Sequence, residues 1–435
     1  MSGEALLAFV VLGTLFFLLA SGVWIGVTLL VVGFVALFFF TPAPAGSLLA
    51  STVWDSSWGW ALTALPLFIW MGEILFRSRL SEDMFKGLAP WLGWLPGRLL
   101  HVNILGCGVM AAVSGSSSVT CATIGRMSMP ELRKRGYDEG MSIGTLAGSG
   151  TLGLLIPPSI MMIVYGITAQ VSIGRLFIAG FLPGFMMIGL FMAYTAVWSM
   201  LNPSRVPAHD LKMSYGEKLW NSRRLIPVIL LIVAVLGSIY GGVATPTEAA
   251  VMGVVGALVL AAATRTLSWE SLRESLLGAV RTSCLIGLIL VGAAFVTMAM
   301  AFTGLPATMA KWVNDLGLSP IGLIVILTLL YMVLGCFLDG VSMIVLTAPV
   351  VLPMIAVQHI DPLWFGVYIV LVVEMAQITP PVGFNLFVLQ NLTGRDIWTV
   401  TKASAPFFLL LCAGIVLITI WPDIVLFLPR QMVGR

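Results

Sequence analysis

Charged residues are scarce in this chain: they make up 9% of its 435 residues, whereas a typical soluble domain has about 25%. Hydrophobic residues make up 59%, and the mean hydropathy is +1.05. This composition excludes an ordinary soluble domain and predicts an all-α polytopic membrane protein. Since about 20 apolar residues span a bilayer as a helix, we expect about eleven to thirteen membrane elements.

Several chemistry-bearing motifs are also missing from the sequence. The five cysteines lie in apolar segments without CxxC spacing, which argues against disulfides and a zinc site. No GxxxxGK[ST] motif is present, so the chain does not bind ATP through a P-loop. GxSG and GxGD are absent too, which argues against an intramembrane hydrolase and for a chain that is not an enzyme. We therefore expect no cofactor, and any transport must be driven by ions or by another subunit.

Two proline pairs interrupt apolar segments that otherwise read as spans. Pro157 and Pro158 lie in GTLGLLIPPSIMMIVYG, and Pro380 and Pro381 lie in AQITPPVGFNLFVLQ. A proline inside a helix costs about 3 kcal/mol, and in hydrocarbon such a break survives only where it is buried in protein or lines a polar cavity. Each pair follows a polar, glycine-containing segment by about 40 residues, which indicates an internal repeat.

The loops inside the two repeats differ in charge. PELRKRGYDEG carries Arg133, Lys134 and Arg135, whereas its counterpart VQHIDPLWFG contains no Lys or Arg. The positive-inside rule assigns the first loop to the cytoplasm and the second to the periplasm, which predicts that the repeats are inverted in the membrane. The alternative is an accidental composition of the second loop. The basic charges are explained by cytoplasmic retention, without a nucleic-acid partner.

Two polar stretches connect the repeats. The insert at 202–224 is basic and is predicted to be a second cytoplasmic loop and a boundary between the halves. The stretch 264–281 places leucines on one helical face and charges on the rest, so it is either an interfacial amphipathic helix or, more simply, a helical linker.

Hydroxyls and glycines gather where each repeat would turn inside the membrane. Hydroxyl and carbonyl oxygens are the ligands that a small cation needs, although small residues also serve helix packing. In the first repeat the candidates are Ser114, Gly115, Ser116, Ser117 and Ser118, opposite Gly150, Thr151 and Gly153. In the second they are Asp339, Gly340 and Ser342, opposite Thr379, Gly383 and Asn385. A half-helix that begins after each proline pair would aim its positive end at the cavity and favour an anionic substrate.

Ionisable residues inside spans are functional candidates because they are costly there. Glu73 and Arg77 are spaced as an ion pair, and Glu248 fits a capping box with Thr245. Arg126 lies near the basic loop, where it either snorkels or binds a substrate carboxylate.

Asp339 and Glu374 have no Lys or Arg within four positions. We therefore assign both residues a coupling or cavity-lining role.

A set of motifs resembles the large membrane subunit, of the DctM type, of tripartite ATP-independent periplasmic (TRAP) transporters. They are PLFIWMGEILFRSRL, SGSSSVTCATIG, PELRKRGYDEG, GTLGLLIPPSIMMIVYG, GGVATPTEAAVMG, LDGVSMIVLTAPVVLP and ITPPVGFNLFVLQ, in that order between residues 66 and 390. One departure is Val119 and Thr120, where the family has small residues, and it bears on the geometry of the first ion site.

The resemblance implies an elevator mechanism, in which a transport domain with two re-entrant hairpins and two broken helices slides against a scaffold. It also implies sodium ions as the coupling ions and the only metal. Further implications are a small four-helix membrane subunit and a periplasmic binding protein that delivers an organic acid anion across the bacterial inner membrane. The substrate would be a C4-dicarboxylate, a keto acid or a sugar acid. The rival hypotheses are a stand-alone sodium/dicarboxylate symporter of related fold and a passive channel.

Carried onto this sequence, the resemblance divides the chain and its site residues as follows. Scaffold helices are expected in 1–97, the first repeat in 98–200, a cytoplasmic loop and central scaffold in 201–320, the second repeat in 321–400, and a C-terminal helix in 401–435. The first sodium site would hold Ser114, Gly115, Ser116, Ser117, Gly150, Thr151 and Gly153, and the second Asp339, Gly340, Ser342, Thr379 and Gly383. Substrate would contact Ser118, Arg126, Pro157, Ser159, Pro381 and Asn385, with Glu374 as a further coupling residue.

Overall fold

The regular elements of the protein are helices. The computed structural model describes residues 3–207, 214–315, 317–336, 338–380 and 383–432, and no strand occurs within these ranges. The first five helices, α1 to α5, are Gly3–Ala20, Ile25–Phe40, Ala45–Ser57, Ala64–Phe76 and Leu80–Leu92, with a 3-10 turn at Trp60–Thr63. The first repeat contains α6 to α11: Leu100–Ser114, Ser117–Lys134, Glu139–Gly150, Leu152–Leu155, Ile160–Thr168 and Ile173–Leu201.

The remaining helices follow a 3-10 turn at Pro203–Arg205. The connecting helices α12 to α16 are Tyr215–Ser222, Ile226–Tyr240, Pro246–Ala263, Trp269–Thr303 and Leu305–Asp315. The second repeat contains α17 to α20: Pro320–Leu334, Gly340–Val357, Pro362–Gln377 and Phe384–Thr393. The chain ends with α21 and α22, Ile397–Ile420 and Asp423–Met432.

Apolar helices dominate, in agreement with a multi-pass membrane protein. Within the described ranges, five helices are long and apolar enough to cross a membrane, or up to eight if each bent helix pair is one span. The bends measure 55°, 41° and 50°, and the second of them falls at the first proline pair. Several shorter apolar helices accompany them, so the expected total of membrane elements stays a prediction. Large side chains such as Phe9, Phe17 and Phe39 are exposed on the outer surface, as a lipid-facing surface requires.

The longest helix, α15, has 35 residues and organises the non-repeat part of the chain. It packs along α2 and against α3 and α4. Gly26 and Gly292 make the contact with α2 close: a Cβ atom at Gly292 would lie 2.7 Å from the carbonyl oxygen of Gly26. The amphipathic stretch predicted at 264–281 does not form a separate helix, since from Trp269 it runs into α15 without a break.

Two local predictions are confirmed. Thr245 caps α14: its hydroxyl accepts from the Glu248 amide at 3.3 Å, and the Glu248 carboxylate accepts from the Thr245 amide at 2.7 Å. Arg77 pairs with Glu73 at 3.4 Å, and it also pairs with Glu274, which ties α4 to α15.

The charged loops gather on one face of the molecule. The Asp138 amide donates to the Arg205 carbonyl at 3.3 Å, and the two side chains lie 3.6 Å apart. Arg98 donates to the Pro207 carbonyl at 2.8 Å. The basic loop after α7 and the insert before α12 therefore lie together, and the positive-inside rule assigns this face to the cytoplasm.

The two interrupted helices run antiparallel. The hydroxyl of Tyr165, in α10, donates to the carbonyl of Pro362, the first residue of α19, at 2.7 Å. At the opposite end, Arg395, which follows α20, binds both carboxylate oxygens of Glu139, the first residue of α8, at 3.0 and 2.6 Å. Each interrupted helix thus begins where the other ends, and their breaks lie side by side.

Candidate functional site

The first helix–turn–helix, α6 and α7, places its tip against the first proline pair. Gly115 ends α6 in the left-handed region, with φ +58°, and a Cβ there would lie 2.9 Å from the Pro158 carbonyl oxygen. Ser114 and Thr120 share a hydrogen bond of 2.6 Å across the tip. The turn therefore requires glycine both for its conformation and for its approach to the break.

The first break separates α9 from α10. The Pro157–Pro158 peptide bond is cis, and the Ser159 hydroxyl caps α10 by accepting from the Met162 amide at 3.3 Å. Gly153 lies directly under the tip, because a Cβ on it would be 2.5 Å from the Ser116 carbonyl oxygen and 2.7 Å from the Ser117 Cα. This close approach brings the backbone of the first tip and the backbone before the break into contact.

The second turn, between α17 and α18, is organised by Asp339. Its carboxylate accepts from the amides of Val341 at 3.1 Å and Ser342 at 3.3 Å, and from the Ser342 hydroxyl. Asp339 has no Lys or Arg within four positions, but it has local partners of another kind, because the residue is the N-cap of α18. Gly340 beside it packs under Met161 and Val373.

The second break separates α19 from α20. The Thr379 hydroxyl donates to the Met375 carbonyl at 2.8 Å. Gly383 is the N-cap of α20, and a Cβ there would lie 2.6 Å from the Gln377 carbonyl oxygen. Pro381, a predicted substrate contact, lies outside the described residues.

Glu374 is the residue that joins the two repeats. It lies in α19, is wholly buried, and its Oε1 accepts a hydrogen bond from the Ser117 hydroxyl of the first tip. Its second oxygen, Oε2, has no hydrogen-bond partner within the described ranges. A buried carboxylate oxygen without a partner is costly, so this atom requires an explanation.

Two further buried polar atoms lie on the same segment. Gln377 Oε1 and Asn385 Nδ2 have no partner among the described residues, although Asn385 Oδ1 accepts from Ser118 at 3.5 Å. The second break therefore presents unpartnered acceptors and a donor on the side that faces the first tip. Such a cluster is typical of a site that receives a ligand or ion.

A cavity of about 240 Å³ lies between the two tips. It is lined by Ser116, Ser117, Ser118, Leu154, Ile160, Met161, Thr282, Leu285, Ile286, Asp339, Gly340, Val341, Gln377 and Phe384. A larger, mostly apolar cavity of about 1150 Å³ shares Leu285 and Asp339 with it and contains Arg281. The central cavity therefore adjoins a larger cavity, here called the vestibule, which is walled on one side by α15.

The predicted residues divide into those at the centre and those beside it. Ser116, Ser117, Ser118, Asp339 and Gly340 line the central cavity. The others pack around them within the two tips and breaks: Ser114, Gly115, Gly150, Thr151, Gly153, Pro157, Ser159, Ser342, Glu374, Thr379, Gly383 and Asn385. Arg126 lines a different cavity, nine residues along α7 from Ser117, which is about 13 Å of helix.

Three polar lining residues of the two cavities were not singled out from the sequence. Gln377 could have been found, since it is a buried amide just before the TPP motif. Thr282 and Arg281 gave no signal, because they belong to a stretch whose charge pattern indicated an amphipathic linker.

The chain matches the family model of the "Tripartite ATP-independent periplasmic transporter, DctM component" over residues 12–424. It is 32% identical to the C4-dicarboxylate TRAP transporter large permease protein DctM of Pseudomonas aeruginosa, covering 92% of this chain and 93% of that protein. It is 31% identical to the isethionate TRAP transporter permease protein DctMQ of Oleidesulfovibrio alaskensis, covering 89% and 61%. It is 30% identical to the ectoine TRAP transporter large permease protein TeaC of Halomonas elongata, covering 85% and 86%.

Two solved transporter structures share the fold of this chain at low sequence identity, so the likeness concerns the fold alone. The YdaH transporter of Alcanivorax borkumensis superposes with a TM-score of 0.62 at 16% identity, covering 88% of this chain and 89% of that one. MtrF of Neisseria gonorrhoeae gives a TM-score of 0.55 at 13% identity, covering 91% and 93%.

Proposed function

The chain belongs to the DctM component family of the tripartite ATP-independent periplasmic transporters, and from this premise we propose that it is the large permease subunit of a sodium-driven importer of organic acid anions. Membership makes the chain a transporter permease rather than an enzyme. The observation that carries the proposal is the central cavity, where polar groups of both tips and the second break meet.

The coupling ion is proposed to be sodium, held in the first instance by Ser117 and Glu374. A hydroxyl and a carboxylate with an unpartnered oxygen form a hard, negatively charged ligand set. A bound cation would account for the buried Oε2 atom. The backbone around Gly153 and the residues of the second tip, Asp339 and Ser342, are proposed to complete the ion sites.

The substrate is proposed to be a carboxylate that binds between the tips. Three helices begin at the cavity with Ser117, Gly340 and Phe384, and helix N-termini attract anions. The relatives are named for C4-dicarboxylate, isethionate and ectoine, so a family name alone does not choose among organic acids.

The transport cycle is proposed to be an elevator movement of inverted repeats. The antiparallel interrupted helices, tied at Tyr165–Pro362 and Glu139–Arg395, support opposite membrane orientations of the repeats and re-entrant paths for the two helix–turn–helix units. α15 would belong to the scaffold, since it packs with α2 to α4 and also touches α10 and α18 of the repeats.

The partners are proposed to be a small four-helix membrane subunit and a periplasmic binding protein, acting in the bacterial inner membrane. The name DctMQ of one relative, of which this chain covers 61%, is consistent with a second subunit fused to the first. The proposed transport domain comprises residues 98–200 and 321–400, and the proposed scaffold helices lie within 1–97 and 201–320.

The deciding experiment is uptake into proteoliposomes that contain this chain and its small membrane partner. A panel of radiolabelled organic acids is supplied with or without an inward sodium gradient and with or without the binding protein. Uptake that requires both is the expected result. Sodium-driven uptake without the binding protein would identify a stand-alone symporter, and flux far above a turnover cycle would identify a channel.

Ser117→Ala is expected to weaken sodium activation without preventing membrane insertion. The variant removes one hydroxyl ligand and leaves Oε1 of the Glu374 carboxylate without the Ser117 hydroxyl donor. Removing one partner of a hydrogen bond to a charged group costs about 1.5 to 3 kcal/mol, so the sodium concentration for half-maximal uptake should rise at least tenfold. Asp339→Ala should also raise the sodium concentration for half-maximal uptake. Asp339→Asn retains the helix cap and removes only the charge. Unchanged sodium activation in Ser117→Ala and Asp339→Ala would remove both residues from the site.

Arg281→Gln is expected to raise the KM for dicarboxylates about fivefold, and the KM for monocarboxylates less. Arg281 is the basic residue in the described lining of the vestibule, one helical turn from Leu285 at the entrance to the central cavity. One cation contributes about 1 kcal/mol to the attraction of an anion near a membrane surface. Arg273→Gln, an exposed arginine two turns away on α15, is the matched control. Equal KM values for Arg281→Gln and Arg273→Gln would contradict the proposal that Arg281 attracts the anionic substrate.

A further inference from the structure

The cytoplasmic end of the repeats contains a second cavity that the transport site does not use. It has a volume of about 520 Å³ and is lined by Gly125, Arg126, Met129, Pro130, Arg133, Lys134, Glu139, Leu392 and Thr393. We propose that this basic pocket binds the phosphate of an anionic phospholipid headgroup from the cytoplasmic leaflet.

The pocket contains more cations than anions. Arg126, Arg133 and Lys134 are exposed, and none forms an ion pair with a described residue. The acid in the wall, Glu139, is already held at both oxygens by Arg395. The pocket therefore presents a surplus of positive charge to whatever enters it.

Helix capping and the positive-inside rule explain only part of this arrangement. Arg133 and Lys134 lie in the last turn of α7, where cations are favourable. Arg126 lies eight residues before Lys134, about 12 Å along the helix, yet its side chain lines the same cavity. A cation that merely capped the helix would not be expected there.

The shape of the pocket depends on a close helix contact. A Cβ atom at Gly125 would lie 2.6 Å from Leu146 and 2.8 Å from Leu392, so glycine lets α7 approach α8 and α20. The pocket therefore joins segments of both repeats. Its floor of Met129, Pro130 and Leu392 is apolar beside the cations, which suits a ligand that has a charged head and a hydrocarbon tail.

The ligand chemistry follows from these groups. An arginine fork binds phosphate oxygens bidentately, and lysine adds a point charge. Basic pockets between membrane helices on the cytoplasmic side are suited to anionic lipid headgroups. Inorganic phosphate carries the same oxygens without the tail, so the two sources can be separated experimentally.

Native mass spectrometry of the full chain, purified in detergent, tests the proposal with phosphatidylglycerol, phosphatidylcholine and inorganic phosphate as probes. Phosphatidylglycerol should be retained and phosphatidylcholine should not. Arg126→Gln and Lys134→Gln should each weaken phosphatidylglycerol binding about fivefold, and Arg126→Lys should restore part of it. Arg273→Gln, an exposed arginine near the start of α15, should bind as the unaltered protein does.

Two results would overturn the proposal. Equal phosphatidylglycerol affinity in Arg126→Gln, Arg273→Gln and the unaltered chain would show that the cavity is not the binding site. Retention of inorganic phosphate without phosphatidylglycerol would show that the occupant is a soluble anion. Because these residues are exposed, thermal unfolding of the variants should match that of the unaltered protein.

Discussion

Glu374→Gln is expected to abolish the sodium dependence of uptake. The carboxylate is wholly buried, receives the Ser117 hydroxyl at one oxygen and leaves the other without a described partner. Glutamine keeps the size of the side chain but removes the charge that would balance a cation in a low-dielectric site. Loss of one member of a buried charge pair costs about 3 kcal/mol or more, which corresponds to at least a hundredfold rise in the half-maximal sodium concentration.

The matched control is Glu248→Gln. Glu248 lies at the start of α14, where it is exposed in a capping box, and glutamine can serve the same capping role. Sodium titration of uptake should therefore be unaffected. If Glu374→Gln kept normal sodium activation and lost only the dependence of uptake on pH, the coupling ion at this residue would be a proton and the sodium assignment of Glu374 would fail.

Gly153→Ala is expected to reduce uptake at least tenfold and to lower the apparent unfolding temperature by about 2 °C or more. The added methyl group would lie 2.5 Å from the Ser116 carbonyl oxygen and 2.7 Å from the Ser117 Cα. Both neighbours are backbone atoms, so the first tip itself must move away from the break. Overpacking of this kind costs about 1 to 3 kcal/mol, and the displaced Ser117 would lose its alignment with Glu374.

Gly189→Ala provides the comparison, since nothing lies within 4 Å of a Cβ at that position in α11. Alanine is favoured over glycine in a helix interior, so this variant should be as stable as the unaltered chain or slightly more stable. Uptake and thermal unfolding can be measured on the same preparations. Full transport by Gly153→Ala would show that the tip and the break do not need to touch.

The proline pairs and the glycine-containing turns could be predicted from the sequence because each leaves a local mark. Pro157 and Pro158 cannot continue a helix, and the helix does end before them. The capping box at Thr245 could likewise be predicted, because it is determined by the four consecutive residues from Thr245 to Glu248. The family could also be named from the order of such motifs, and the family match confirms it.

The partnerships across the fold could not be predicted. Ser117 and Glu374 are 257 residues apart, and no spacing rule connects them. The absence of Lys and Arg near Asp339 did not reveal its local partners, which are backbone amides and a hydroxyl. Arg281 was missed because a single helix continues from the polar stretch into the span.

The same Ser117–Glu374 contact has a consequence for biosynthesis. Chains leave the ribosome at about 5 to 20 residues per second, so Ser117 enters the membrane roughly 10 to 50 seconds before Glu374 is made. During that interval the first tip has only its own polar groups, such as the 2.6 Å bond between Ser114 and Thr120. Assembly of the proposed ion site is therefore a late event of membrane insertion, and a nascent chain that stops before α19 exposes only the first tip to the quality-control machinery of the cell.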